Sequence, residues 1–304
     1  MLSYLHGFHA GNHADILKHF VLFYTLEYLN KKNKPYSIFD THSGSALYNL
    51  SDQKALKTGE AARGIQKLLA VPGSRIPPAL TGYVDFVSSL IKKNPPCYPG
   101  SPFIECSLAL SGANLFFTEL HKAEFEALRS NLASLLNHLP PAFAQIVSED
   151  GFAYLKKHTP PAIKRGIILC DPSYEEKSDY IQASETLCTV HKKWSAAQIL
   201  LWYPLLQNRA DDINGMKMRL ISAVKNHNAN AEVLDASLCI DREDSHVETS
   251  LKDAIGSAKP RLYGSGLLVI NPSWGLREAL ESALPFLADT LGVDANGSWS
   301  VEMR

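Results

Sequence analysis

The sequence predicts an α/β fold built on an open, largely parallel sheet and interrupted by a helical insertion. Three observations carry this reading. Short apolar runs of strand type recur along the chain, helical segments separate most of them, and one stretch, 49–96, breaks the alternation. The 304 residues are 45% hydrophobic and 20% charged, ample apolar material for one large core or a core plus a subdomain.

The first element is a helix over 13–31, where Ile16, Leu17, Phe20, Phe23, Tyr24 and 26–28 recur near helical spacing and imply one buried face. Pro35 marks its end. Strands follow at 36–39, 114–118, 145–148, 166–170 and 198–202, with helices at 121–138 and 179–193 between the later ones. Runs at 232–240 and 264–270 add strands at the end of the sheet, one of them a candidate for antiparallel pairing. Residues 49–96 read as helices and Pro-marked loops (Val71-Pro72-Gly73, Pro77-Pro78, Pro95-Pro96), hence an inserted helical subdomain within a main domain of 1–48 and 97–304.

Composition excludes several classes. No apolar run reaches the roughly 18 residues of a membrane span, and the amino terminus lacks the pattern of a signal peptide, so a soluble cytoplasmic protein is expected. The five cysteines are odd in number and contain no C-x-x-C pair, which points to reduced core thiols. His9 and His13 would share a helix face with His6 and His19 nearby, but no H-E-x-x-H is present, and no metal is expected. A G-x-S-x-G elbow is missing too. The net charge of −1 gives no global nucleic-acid signal; locally, 49–96 holds seven basic residues against three acidic ones, either a solvated face or a phosphate-binding one.

In an open parallel sheet, ligands bind beyond the carboxyl ends of the strands. Four consecutive strands end there in a carboxylate: Asp40, Glu119, Glu149 with Asp150, and Asp171. Such an edge suits a ligand rich in hydroxyl and amino donors, and Glu119 stands after the second strand, where ribose hydroxyls are bound in nucleotide-binding α/β folds. There is no G-x-G-x-x-G, so S-adenosylmethionine fits better than a dinucleotide. The sharpest motif is Asp171-Pro172-Ser173-Tyr174. An exocyclic adenine amine is a poor nucleophile, and a site that methylates it needs two acceptors for its N–H groups, here the Asp171 carboxylate and the Pro172 carbonyl, with the Tyr174 ring available to stack on an extruded base. Taken alone, the same four residues are more often an ordinary turn after a strand.

Taken together, these motifs resemble the bacterial ribosomal RNA large-subunit methyltransferase J family. The resemblance spans Met1 to Tyr4, Phe8 to His19, Asp40-Thr41-His42-Ser43-Gly44, Tyr98-Pro99-Gly100-Ser101-Pro102, Thr118 to His121, Asp150-Gly151-Phe152, Asp171 to Tyr174, Leu201-Trp202-Tyr203-Pro204 and Ile270 to Trp274. It implies a Rossmann-like S-adenosylmethionine-dependent methyltransferase fold, and N6-methylation of an adenine in 23S ribosomal RNA by a monomer. By position, His19, His42, Ser101, Glu119, Asp150, Gly151 and Asp171 would line the cofactor site, with Asp171, Pro172 and Tyr174 catalytic. Tyr4 and Lys18 would meet the RNA, and the basic insertion would face it.

Two departures stand out. The family usually has a second proline at Ser173, whose ring would stiffen the loop presenting the Pro172 carbonyl, and a glycine at Ala46, where close backbone approach matters. They sustain an alternative, a non-catalytic nucleic-acid-binding protein of the same fold linked to use of external DNA. Trp202, Tyr203 and Trp274 follow apolar strands and are equally core closures or RNA contacts.

Overall fold

The computed structural model describes residues 5–137, 143–243 and 261–304. A 3-10 turn at His6–Phe8 leads into α1 (His13–Asn30), β1 (Ser37–Asp40) and β2 (Leu47–Asn49). The insertion holds α2 (Gln53–Thr58), α3 (Glu60–Arg63), α4 (Ile65–Leu69) and α5 (Pro78–Ile91). After β3 (Cys97–Pro99) come α6 (Ser101–Leu108), β4 (Asn114–Thr118), α7 (Lys122–Leu136), β5 (Phe143–Val147), α8 (Gly151–His158), β6 (Gly166–Cys170), α9 (Lys177–Lys193) and β7 (Gln198–Leu206). The chain ends with α10 (Ala210–His227), β8 (Val233–Cys239), β9 (Leu262–Ile270), α11 (Leu276–Leu291) and β10 (Ser298–Met303).

The main sheet has the order β10-β8-β9-β7-β6-β1-β4-β5. From β7 to β5 every pairing is parallel, while β9 is antiparallel to both β7 and β8. The fold is Rossmann-like, as the sequence implies. Helices cover both faces. In β6, Ile167 and Leu169 join the core that includes α1 and α11, whereas Ile168 and Cys170 join the core under α8, α9 and α10. This period-2 alternation places apolar side chains on both faces, the signature of a parallel strand buried on both sides.

Three features differ from the sequence reading. Helical spacing predicts one buried face for α1, yet fourteen of its eighteen residues are buried; β9, α6, α5 and α11 surround it, so even its polar positions are enclosed. Strand β7, expected over 198–202, runs on to Leu206 through Pro204, a residue type confined to sheet edges and strand starts. Its pairing with β6 stops at Leu201, and beyond that point it pairs with β9 alone, so the flank without a β6 partner tolerates a missing N–H. The third is a pair of short strands, β2 and β3, which join in a two-stranded antiparallel sheet across the two ends of the insertion. The insertion's buried side chains Ile65, Leu68, Leu80, Tyr83 and Val87 belong to the same apolar cluster as α1.

Candidate active site at the switch point of the sheet

Strand order reverses at β1: β4 lies on one side and β6 on the other. The crevice beyond the carboxyl ends of these strands is where a doubly wound sheet binds ligands. A cleft of about 620 Å³ opens there, lined among others by Lys18, His19, His42, Ser101, Glu119 and Asp171. Asp150, Gly151, Pro172, Ser173 and Tyr174 line it as well, so apart from Tyr4, which lies outside the described residues, the candidate residues converge on one cavity.

Each is held by a distinct device. Glu119 ties the loop after β1 to the end of β4: Gly44 N–H donates to its Oε2 at 2.8 Å and His121 N–H to its Oε1 at 2.7 Å. Burial pushes its carboxyl up, and these two donors oppose that shift. Asp150 caps α8, accepting from Ala153 N–H at 2.8 Å, which fixes the carboxylate at the cleft wall. Gly151 is there because a Cβ would sit 1.9 Å from the Thr41 carbonyl oxygen. Ser101 Oγ donates to Asp40 Oδ2 at 2.6 Å, bracing the buried end of β1. Burial lifts the Asp40 carboxyl to about 6 although the Ser101 bond works the other way.

Burial favours the neutral form of His42 and of His19. Burial lowers His42 to about 4; its Nδ1 lies 2.8 Å from Thr41 Oγ1 and its ring meets Phe152 edge-on. His19 is pushed well down by burial and by the Lys18 ammonium. Its Nδ1 lies 2.8 Å from the Tyr98 hydroxyl, while Nε2, fully buried, has no hydrogen-bond partner among the described residues. His6 and His9 are engaged by carboxylates, Asp15 at 2.9 Å and Glu60 at 2.8 Å.

The centre of the site is an ion-pair chain that the sequence reading does not assemble. Lys18 Nζ lies 2.5 Å from Asp171 Oδ2 and 3.0 Å from Asp15 Oδ1. Burial alone would lower the Lys18 amine, but Asp171 and Asp15 together hold it above its ordinary value. Asp15 in turn accepts from Gly11 N–H at 2.9 Å, and His6 and Lys18 hold its carboxyl well down against the opposing effect of burial. The signal is present in the chain: an Asp and a Lys three apart on an otherwise apolar helix share one face.

Asp171 and Pro172 begin the loop after β6. Tyr174 is buried in the left-handed region, φ 53°, with its hydroxyl donating to the Trp202 carbonyl at 2.7 Å and its ring 4.6 Å from that of Tyr180. That backbone geometry is costly for a side-chain-bearing residue and is sustained by these contacts. Ala46 is likewise left-handed at φ 63°, which explains why glycine suits the position. Of the aromatic residues left open, Trp202 lines the cleft and Tyr203 is buried with its hydroxyl on Asp235 Oδ1 at 2.6 Å. Trp274 follows the end of β9 that pairs with the start of β7, at the opposite edge of the sheet, 81% exposed.

A family model described as Ribosomal RNA large subunit methyltransferase D, RlmJ, matches residues 33–304. A relative from Haemophilus influenzae, named Ribosomal RNA large subunit methyltransferase J, is 34% identical over 306 residues, covering 99% of this chain and 98% of its own. One of the same name from Escherichia coli is 32% identical, covering 99% of each chain. The solved structure of protein LPL1258 from Legionella pneumophila superposes with a TM-score of 0.76 at 25% identity, over 97% of this chain and 98% of that one.

Proposed function

Since the chain belongs to the ribosomal RNA large subunit methyltransferase J family, we propose that it uses S-adenosylmethionine to methylate the N6 amino group of an adenine in 23S ribosomal RNA, acting as a monomer. The observation that carries this reading is the Asp171-Pro172 pair at the end of β6, anchored by Lys18 in the cleft that also holds Glu119 and Asp150.

Lys18 occupies Oδ2 of Asp171. Oδ1 is then left to accept one N–H of the target amine, and the Pro172 carbonyl accepts the other. Fixing both protons draws the nitrogen lone pair out of conjugation and aims it into the cleft. As the nitrogen becomes cationic, the Asp171 carboxylate stabilises the developing charge and Oδ1 takes its proton. The low dielectric of a closed cleft strengthens this effect.

The residues fit the cofactor. The cleft volume lies in the range of roughly 300–1,000 Å³ that encloses small ligands. Glu119 and Asp150 are acceptors for ribose hydroxyls and an amino group, and in the tautomer with Nδ1 accepting from Tyr98, His19 Nε2 is a buried donor without a hydrogen-bond partner among the described residues, Asp15 Oδ1 being 4.0 Å away. When bound, the cofactor supplies a methyl carbon made electrophilic by its sulfonium. The target base must leave its stack to reach the site, and the wall formed by Tyr174, Trp202, Pro204 and Leu206 would receive it. The insertion would face the RNA: Lys54 passes beside Gly7 in the turn whose His6 lines the cleft.

The test is methyl transfer from labelled S-adenosylmethionine to 23S RNA lacking the modification, with nucleoside analysis by mass spectrometry. N6-methyladenosine from the wild type but not from Asp171→Ala, at RNA affinity within a few-fold, is the expected result. RNA binding without methylation would instead favour the non-catalytic reading, and methylation elsewhere would overturn the assigned chemistry.

A further inference from the structure

The edge of the sheet opposite the cleft carries a second cationic surface. There the chain segments 30–36, 156–165 and 191–197 contain Lys31, Lys32, Lys34, Lys156, Lys157, Lys164, Arg165, Lys192 and Lys193 and no acidic residue. All nine are exposed except Arg165, which is half-buried. Hydrogen bonds join the segments into one surface. Arg165 donates to the Lys34 carbonyl at 2.5 Å, the Trp194 indole to the Lys164 carbonyl at 2.7 Å, and Lys193 Nζ to the Lys156 carbonyl at 3.0 Å. The nearest carboxylates in sequence are Glu27 and Asp40 around the first segment, Asp150 and Asp171 around the second, and Glu185 and Asp211 around the third, each outside the segments.

Helix C-termini favour lysine because it complements the helix dipole, and this accounts for Lys156, Lys157, Lys192 and Lys193 in the last turns of α8 and α9. It does not account for Lys34, Lys164 and Arg165, which precede β1 and β6 in loops. Nor does it explain why the three neighbouring segments contain no acid of their own, although Glu27 lies beside Lys31. A long anionic chain would neutralise such a surface, and the segments themselves expose no large apolar side chain to anchor a protein partner, Trp274 being a single exposed ring beside them.

We propose that this edge binds the phosphate backbone of an RNA duplex, a second contact separate from the target adenine. The belt lies one strand length, roughly 15 Å, from the ends that form the cleft, so it would engage a different part of the same large RNA. The inference rests on the reading that the substrate is RNA.

The test uses the full chain and a fluorescent mixed-sequence RNA duplex, titrated over a series of KCl concentrations. The variant Lys32→Gln, Lys157→Gln, Lys164→Gln, Lys192→Gln neutralises the belt without placing acids at helix ends. Its Kd at low salt should rise at least about tenfold, and the slope of log Kd against log salt should fall by about one for each phosphate the variant no longer neutralises. S-adenosylmethionine affinity and kcat at saturating 23S RNA should match the wild type. An unchanged slope and Kd would overturn the proposal, including the case where only thermal stability drops, which would mark the lysines as helix-terminal charges. Because duplex binding is read without turnover, absence of methylation by the wild type would defeat the proposed function and leave this comparison intact.

Discussion

Lys18 and Asp171, 153 residues apart, meet at 2.5 Å in the wall of the cleft, and Asp15 holds the other side of the same ammonium at 3.0 Å. Lys18 therefore neutralises two carboxylates at once. Lys18→Met would leave Asp171 without its cation and Asp15 with His6 and the Gly11 N–H alone, and removing one member of a buried pair costs about 3–5 kcal/mol. Urea unfolding should show a loss of that order, with methyl transfer abolished, whereas Lys18→Arg should recover part of the stability. The folded Asp15 carboxyl is depressed, so its contribution is present above the unfolded value of 3.8 and lost as pH falls through the folded one. A wild type whose acid unfolding matched that of Lys18→Met would refute the coupling.

Glu119 is bound by two backbone donors, Gly44 N–H and His121 N–H. Glu119→Gln presents one oxygen and one amide nitrogen, so one of these N–H groups would face another donor. The loop after β1 should loosen, weakening S-adenosylmethionine binding by at least about tenfold, equivalent to about 1.4 kcal/mol. Because Glu119 does not touch the target amine in this scheme, kcat at saturating cofactor should stay within a few-fold. Calorimetric titration beside steady-state kinetics separates the two quantities; a loss confined to kcat would move Glu119 into the chemical step.

Much of this site is legible in the sequence because its parts follow strands. Asp40, Glu119, Asp150 and Asp171 are each marked by an apolar run that ends in a carboxylate, and the topology of a parallel sheet brings such ends together. The Lys18 to Asp171 contact is not legible as geometry, since nothing in local spacing tells where the polar side of an otherwise apolar helix will point. The environment of Tyr174 is hidden for a related reason: its hydroxyl finds the Trp202 carbonyl through tertiary packing alone. Short β2 and β3 carry too few residues for a periodicity, and β10 (Ser-Trp-Ser-Val-Glu-Met) is half polar because it is an edge strand.

Lys54, Lys57, Arg63 and Lys67 are exposed on α2, α3 and α4, and the α2 end of this group borders the turn whose His6 lines the cleft. Reversing the four to Glu should weaken 23S RNA binding more at low salt than at high salt, since exposed charges act through a screened field. Filter binding at two ionic strengths is sufficient, and equal affinities would remove the insertion from the interface. Cofactor affinity should not move, because none of the four lines the cleft.

Glu105 on α6 is fully buried and neither carboxylate oxygen has a hydrogen-bond partner among the described residues. Burial, reinforced by Asp40, drives its carboxyl well above the ordinary 4.5, so the folded state holds a proton that the unfolded chain releases. The sign follows from proton counting. Above about pH 4.5 the native state binds more protons than the unfolded one, and stability falls with rising pH by up to about 1.4 kcal/mol per unit until the folded pKa is reached. Glu105→Leu removes that slope and an unsatisfied buried polar group together. Asp40 contributes a like slope that ends near pH 6, and it does so in both proteins. The variant should therefore be more stable by about 1–3 kcal/mol at neutral pH, and its advantage in urea midpoint should widen as pH rises. Parallel stability curves across that range would mean that Glu105 is ionised in the fold, with a partner supplied by solvent.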